Sequence, residues 1–549
     1  MKKTQYAQSM KEQFTLRGMI IGCLGAVILT TSSMYVALKL GALPWPIIFV
    51  ALVSMFSLKL LGNTNINEIN VTHTAMSAGA MVAGGLAFTI PGIWMLDPEA
   101  RVDAVALLVV TVGGVILGLI FTALIRKYFV VTKELPYPMG VAAAETLLVG
   151  DKGGKKSIAL FSSMGVAGII TVLRDWFAKI PAMLFSNVAI PGVSFGLWAS
   201  PMMISVGYII GPLAIGIWFL GALLGDFGIV VAGPKLGFWD ALTAANIKTS
   251  LGIGVMVGTG IGIIVKGIIP KAKEIFGPMF TKKGMSEGVV NLRWAPIVMV
   301  LLAFAFTFLT HMGIVASVIT IIGVWLATSM SAQVVGQAGV NPMEIFGVIV
   351  LLAAKVASRI GHMEAFFVAA VVAIACGLAG DVMNDFKVGH IVKTNPQAQW
   401  YAEAIGGIIG ALVSVGVLLI LVKAYGTDAF GVDAAGNIRQ FPAPQAGVVA
   451  AMVGGIPHIP AFVIGLVAGV ILYVVNFPVM TLGLGIYLPF YLSLTAFVGG
   501  VIKFIVQKAA PGWDQKGNGL VIASGLLGGE AVVGVIIALI QVCMGMGAI

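Results

Sequence analysis

Apolar runs long enough to cross a lipid bilayer alternate along this chain with short polar passages, several of them richer in side-chain amides and acids than a loop requires. About 20 apolar residues in a helix span the hydrocarbon. By that measure Phe14–Leu40 and Leu43–Leu61 are the first two crossings, followed by Val105–Ile125 and Ile158–Phe177. Ser200–Val231 is too long for one perpendicular helix and carries a Gly211-Pro212 break, with Asp226 near its far end. Trp239–Lys266 begins with a polar half (Asn246, Lys248, Ser250). Later crossings are Trp294–Thr310, Ile314–Met330, Phe346–Ala379, Ala404–Lys423, Phe462–Val475, Leu482–Lys503 and Leu520–Cys543. Between them lie a passage with Gln333, Gln337, Asn341 and Glu344, and a polar stretch Asp381–Lys393.

The stretch Asn63–Leu96 stands out. Four asparagines, a glutamate and a histidine precede a helix-length apolar run that ends at Pro91. Unpaired polar groups in hydrocarbon cost several kcal/mol, so irregular or polar backbone at membrane depth must line a cavity or pack on protein. We therefore expect a broken or re-entrant helix whose polar residues (Asn67, Glu68, Asn70, Thr72, His73, Thr74, Ser77) face solute; an ordinary loop with an N-cap at Thr72 or Thr74 is the alternative. Two proline-flanked segments, Leu135–Ser157 and Phe441–Pro460, read as shallow hairpins.

Composition agrees. The 549 residues are 59% hydrophobic and 10% charged, far below the charge of a soluble domain, which makes this an all-α polytopic membrane protein. Seventy-one glycines suit close helix packing in lipid. The formal charge of +10 sits in short connections, as retention of those connections on the cytoplasmic side demands, so it is no sign of nucleic-acid binding. The basic N-terminus lacks a cleavage site and reads as a cytoplasmic tail. The polar end Asp97–Asp103 suits the outside. Cys23, Cys376 and Cys543 lie far apart in apolar runs and read as packing residues. No HExxH, G-x-S-x-G or Walker A motif is present, and Gly154-Lys155-Lys156-Ser157 lacks phosphate-loop spacing, which argues against an enzyme. No cofactor is expected.

A basic stretch, 267–293, separates an N-terminal membrane half (1–266) from a C-terminal one (294–549). The halves share an ordered set of matches: Pro136-Tyr137-Pro138 with Pro442-Ala443-Pro444, Gly165 with Gly465, Pro201 and Gly211 with Pro489 and Gly499, and Trp239-Asp240, Ser250 and Gly254 with Trp513-Asp514, Ser524 and Gly528. Repeated halves with interrupted helices mark secondary transporters. A cytoplasmic N-terminus and linker imply an even number of crossings per half. The halves would then be related by an axis along the membrane normal, with the Asn63, Trp239, Asn341 and Trp513 segments converging on a central cavity.

Five segments, LPYPMGVAAAETLLVGDK, DFKVGHIVKTNPQAQWYAEAIGG, FPAPQAGVVAAMVGGI, LPFYLSLTAFVGG and ASGLLGGEAVVGV, give the chain a resemblance, over nearly its whole length, to the oligopeptide transporter family with its yellow stripe-like metal-chelate carriers. Phe88-Thr89-Ile90-Pro91 resembles the family's corresponding helix end. The resemblance implies about sixteen membrane elements, re-entrant hairpins included. It also implies proton-coupled uptake of small oligopeptides or metal chelates across the cytoplasmic (inner) membrane by a compact prokaryotic member, with a homodimer as one form. An N-P-G-x-F-N-x-K-E-H signature is absent, so eukaryotic substrates do not carry over. A carrier for amino acids or another small solute is the alternative, and a channel stands behind it.

Within that frame, Glu530 is the first candidate for proton coupling because only glycine and alkyl residues flank it. Glu68 is second. Glu145 has a similar setting, with Asp151 and Lys152 placing it near the interface. Lys355, Arg359 and His362, spaced for one helix face, could hold a substrate carboxylate with Glu364 nearby, unless Gly361 breaks the helix. Asn67, Asn70 and His73 supply neutral hydrogen bonds. Asp381, Asn384 and Asp385 are metal-friendly by type, yet no His or Cys joins them at ligand spacing. They read as a loop or cap, and no metal site is expected.

Overall fold

In chain order, leaving single turns aside, the helices are α1 (Leu16–Leu40), α2 (Ile47–Leu60), α3 (Ile66–Ala87), α4 (Ala104–Arg126), α5 (Pro138–Lys152), α6 (Lys155–Thr171), α7 (Pro201–Ile210), α8 (Pro212–Ala222), α9 (Ala241–Gly262) and α10 (Ala295–Leu309). They continue as α11 (Gly313–Ala338), α12 (Met343–Ser358), α13 (His362–Val392), α14 (Pro396–Tyr425), α15 (Pro444–Gly454), α16 (Ile459–Val474), α17 (Val479–Tyr487), α18 (Phe490–Ala509) and α19 (Asn518–Cys543). This computed structural model describes residues 9–41, 47–152, 155–185, 187–271, 289–339, 341–431 and 439–543. Among the described residues nine helices are long and apolar enough to cross a membrane, as a polytopic all-α protein requires. Sheet is limited there to a two-residue antiparallel pairing of Met183–Leu184 with Leu197–Trp198. Of the basic 267–293 linker, residues 272–288 lie outside the described residues.

The chain forms two compact units, and each takes pieces from both sequence halves. The first holds 1–152, 271–454 and 538–549; the second holds 153–270 and 455–537.

In the first unit the repeat is legible contact by contact. α1 ends at Gly41 in the left-handed region (φ 63°), and its Leu38 carbonyl accepts from Ala443 N–H at 2.8 Å. α11 ends at Gly339 (φ 67°), and its Gly336 carbonyl accepts from Tyr137 N–H at 2.9 Å. Tyr137 and Ala443 are the central residues of the two Pro-x-Pro motifs, and both carry positive φ, 45° and 38°. Each half thus caps the other. The next layer repeats the exchange: Gly114 and Gly118 of α4 sit over the Val371 and Ala375 carbonyls of α13, while Gly406 and Gly410 of α14 sit over Ala75 and Gly79 of α3. At Gly406 and Gly410 a Cβ would collide with backbone, and at Gly114 and Gly118 it would be tightly crowded, which favours small residues one turn apart. This register makes Met81 the counterpart of Gly377 and Val115 the counterpart of Gly407, and each of these pairs is in contact. A residue that touches its own counterpart lies on the two-fold.

The second unit obeys the same rule. Gly207 of α7 sits over the Ala496 carbonyl of α18 and Gly485 of α17 over the Trp218 carbonyl of α8; Gly499 sits over Ile204 and Gly221 over Leu482. Phe219 stacks on its counterpart Phe497, ring centroids 4.2 Å apart. Gly254 and Gly258 of α9 pack on Phe462 and Leu466 of α16, as Gly525 and Gly529 of α19 pack on Leu160 and Met164 of α6.

These contacts correct two expectations. The register differs from the sequence matches: the Gly211-Pro212 break corresponds to the Pro489 break rather than to Gly499. Equivalent helices also run antiparallel. Ser77, Met81 and Gly85 of α3 meet Asp385, Gly377 and Ile374 of α13, one rising as the other falls. Within each unit the two-fold therefore lies across the helices, the signature of an inverted repeat, and not along the membrane normal. α10, a 15-residue apolar helix, has no counterpart among the described residues of the first half.

The Asn63–Leu96 stretch also differs from expectation. α3 is continuous, capped by the Asn65 side chain, which accepts from the N–H groups of Asn67 and Glu68 at 3.0 and 2.9 Å. Its break falls at Phe88–Pro91, far from the polar head. From Glu68 to Ala87 every residue is buried, so its polar groups face protein rather than open solute.

Candidate ion and substrate site

α13 is the most enclosed element of the first unit; its most apolar 18-residue window is wholly buried. Asp381 and Asp385, one turn apart, share one face of it. Asp385 meets α3, and both acids approach α14, where Glu403 sits on the inner side. All three carboxylates are buried, and an oxygen from each lies within 4.8 Å of the others. Three full charges at that separation repel by about 3.5 kcal/mol per pair at an effective dielectric near 20. Among the described residues no lysine or arginine pairs with them, and both oxygens of Asp381, both of Glu403 and Oδ1 of Asp385 make no hydrogen bond within the protein. Such a cluster calls for a neutralising cation.

Neighbouring groups orient it. Ser77 Oγ donates to Asp385 Oδ2 at 3.2 Å, which leaves Oδ1 turned to the cluster. His73 Nε2, with no hydrogen-bond partner, stands 3.6 Å from that Oδ1. The other ring nitrogen, Nδ1, is 3.2 Å from Asn70 Oδ1. Asn70 Nδ2 donates to Thr394 Oγ1 at 3.0 Å, and Thr394 Oγ1 donates to Asn67 Oδ1 at 2.9 Å. A polar seam therefore runs from the head of α3 to the acids.

The structure thus joins Asn67, Asn70 and His73, three of the sequence candidates, and brings them to Asp385. Other candidates sit elsewhere. Asp381 and Asp385 are interior residues of a long helix, correcting the loop-or-cap reading. Lys355, Arg359 and His362 do not form a stripe: α12 stops at Ser358, Arg359 takes φ 48° as its C-cap, and α13 starts at His362. Lys355 Nζ donates to the Val453 carbonyl at 2.7 Å, Arg359 and His362 are exposed, and Glu364 lies in the first turn of α13. Glu68 is gripped at the head of α3 by Arg17, whose Nε and Nη2 each donate at 2.7 Å, and by the hydroxyls of Thr15 and Thr64. Glu145 is exposed on α5.

Glu530, in the second unit, is not the unpaired acid its neighbours in sequence suggested. Arg174 Nη1 donates to it at 2.9 Å, Ser200 Oγ at 2.9 Å and Met202 N–H at 2.8 Å. Asp226 in the same unit receives Lys248 Nζ at 2.7 Å. Sequence reasoning missed Glu403 altogether. Its signal was available, an acid inside the apolar run of α14, but the partners that give it meaning come from helices remote in sequence.

Comparison with known proteins places this geometry. The family profile described as OPT oligopeptide transporter protein matches residues 13–541. The chain is similar to a putative oligopeptide transporter of Haemophilus influenzae, 26% identical with 92% of each chain covered. It is similar also to the probable metal-nicotianamine transporter YSL16 of Oryza sativa subsp. japonica, 22% identical over 76% of this chain and 72% of that one. The metal-nicotianamine transporter YSL3 of Arabidopsis thaliana is 22% identical over 60% of this chain and 55% of its own.

Proposed function

The chain belongs to the oligopeptide transporter family, and on that premise we propose that it is a secondary active carrier, taking up small peptides or peptide-like metal chelates across the cytoplasmic membrane with protons as the coupling ion. The observation that carries this reading is the buried acidic cluster at the end of the α3 seam. Ionisable groups inside membrane helices are costly and are retained where they work. Glu530 and Glu68 hold arginines of their own, which leaves the free oxygens of Asp381, Asp385 and Glu403 as the cation-accepting groups. Inverted repeats built from interrupted helices support a carrier that alternates between two faces. Arg359, exposed at the α12–α13 break, is the candidate clamp for a substrate carboxylate.

Protein reconstituted in liposomes, energised by an inward proton gradient and offered a panel of di- to tetrapeptides and metal chelates, tests the proposal. Saturable accumulation that collapses with the gradient is expected. Unitary currents, or flux indifferent to the gradient, would replace the carrier with a channel; competition by free amino acids alone would shift the substrate class. For the clamp, Arg359→Ala should weaken free-carboxyl peptides more than amidated ones, and equal loss would assign Arg359 to folding.

A further inference from the structure

The donor set in the first unit is more specific than a generic cation needs, and we infer that Asp381, Asp385, Glu403 and His73 bind a bare divalent transition-metal ion. The inference rests on taking this cluster as the working site of the carrier. The acids alone would not carry it, since acidic clusters are common without ions. The second observation is His73, which is fully buried, with Nε2 unpartnered and facing Asp385 Oδ1. A separation of 3.6 Å is too long for a hydrogen bond. It fits two donors that flank one ion, each about 2.1 Å from it.

The surroundings of His73 match those of a ligating imidazole. Metal-bound histidines give their other ring N–H to an oxygen that fixes tautomer and ring orientation. Here the amide of Asn70 is held by its donation to Thr394, so Asn70 Oδ1 is the acceptor left for His73 Nδ1–H. That places the lone pair on Nε2, toward the acids. Ser77 does the same for Asp385, occupying Oδ2 and leaving Oδ1 free. The three carboxylates are the compact set, and the imidazole flanks it beside Asp385, so that an ion drawn toward Asp385 Oδ1 would meet both oxygen and nitrogen donors. Carboxylates suit Mg2+, Ca2+ and Mn2+, while imidazole suits Zn, Cu, Fe and Ni. The combination selects Mn2+, Fe2+, Co2+ or Zn2+ over Mg2+, Ca2+ and Na+. The donors come from three helices, α3, α13 and α14, and all three meet their repeat counterparts, α3 and α13 each other at Met81–Gly377 and α14 its counterpart α4 at Val115–Gly407. A bound ion would therefore sit among the helices whose relative movement a carrier uses.

The test uses full-length protein in lipid nanodiscs, stripped with EDTA and titrated calorimetrically with Co2+, Mn2+, Mg2+ and Ca2+, with bound metal counted after desalting. One Co2+ or Mn2+ per chain is expected, held at least about tenfold more tightly than Mg2+ or Ca2+. Asp381→Asn and Glu403→Gln should each abolish stoichiometric binding, and Asn70→Ala should weaken it roughly 10- to 100-fold through His73. Should the carboxylate variants fail to fold, pulsed electron paramagnetic resonance of Mn2+ on the wild type decides: nitrogen coupling present there and lost in His73→Gln supports the site. No stoichiometric binding, binding undiminished in folded Asp381→Asn and Glu403→Gln, or no nitrogen coupling overturns it. Metal-free vesicles provide the separation from the carrier reading. Stripped protein that binds no metal yet accumulates peptide sinks the metal site alone; protein that binds metal but moves no peptide or chelate sinks the carrier alone.

Discussion

Two kinds of buried acid occur in the molecule, and only the first unit shows both among the described residues. In the second, Glu530 holds Arg174 and Asp226 holds Lys248, each carboxylate meeting a basic side chain of its own unit. In the first, Glu68 holds Arg17 in the same way, but Asp381, Asp385 and Glu403 meet each other and an imidazole, with no lysine or arginine paired to them among the described residues. Burying a charge costs several kcal/mol, and a built-in partner offsets that cost permanently. An acid with its own arginine is a fixed part of the fold. A cluster without one stores a demand for a cation from outside, and a carrier needs such a demand where its helices move.

The largest effect that could break this contrast lies in the second unit. Arg174→Ala leaves Glu530 buried with only the neutral donors Ser200 Oγ and Met202 N–H, and breaking a buried pair from one side costs about 3–5 kcal/mol. The variant should be largely unfolded in membranes, as read by size-exclusion yield and thermal unfolding. Arg174→Met combined with Glu530→Gln should recover most of that loss. A single variant as stable as the wild type would mean that the pair does not hold the unit.

Next come the helix contacts. Gly406→Leu on α14 drives a side chain into the Ala75 backbone, and Gly114→Leu on α4 drives one against the Ile374 side chain and the Val371 carbonyl; overpacking of this kind costs about 1–3 kcal/mol. Because the positions are repeat counterparts, their thermal midpoints should fall by similar amounts. Unequal penalties would show that the two crossings have diverged. The smallest effect is expected at the head of α3, where Arg17 is about one-third exposed, at 35%. Arg17→Ala should lower the midpoint less than any change above, because solvent screens exposed pairs.

Much of the fold was legible in the sequence, and the reasons are physical. Apolar length gives most of the crossings, though Phe346–Ala379 and Leu482–Lys503 each straddle a break between two helices; glycine abundance gives close packing, and the Pro-x-Pro motifs mark the caps where Tyr137 and Ala443 take positive φ. The repeat was legible as an order of motifs, but its register and inversion were not. Matching Gly211 to Gly499 paired two glycines by type, whereas packing pairs the Gly211 break with Pro489. The site was half legible. Asn67, Asn70 and His73 stood out because polar groups rarely open a membrane helix. Asp381 and Asp385 resembled a loop because Asn384, Lys387 and His390 share their helix, and only burial on all sides shows that the helix runs on. Glu530 misled for the converse reason: glycines beside it in sequence say nothing of Arg174, which is 356 residues away. Ion partners that are remote in the chain leave no local trace.

The contrast between paired and unpaired acids reduces to one paired measurement. Asp385→Asn and Glu530→Gln are compared for thermal midpoint and for gradient-driven uptake per folded molecule in liposomes. Asp385→Asn removes a buried carboxylate that no lysine or arginine among the described residues pairs, so it should keep or raise the midpoint while abolishing accumulation. Glu530→Gln removes one of the two carboxylates that hold Arg174, the other being Asp175, so it should lower the midpoint modestly while the molecules that fold still transport. Accumulation by Asp385→Asn at the wild-type level would contradict the account, because the unpaired cluster would then be dispensable to transport.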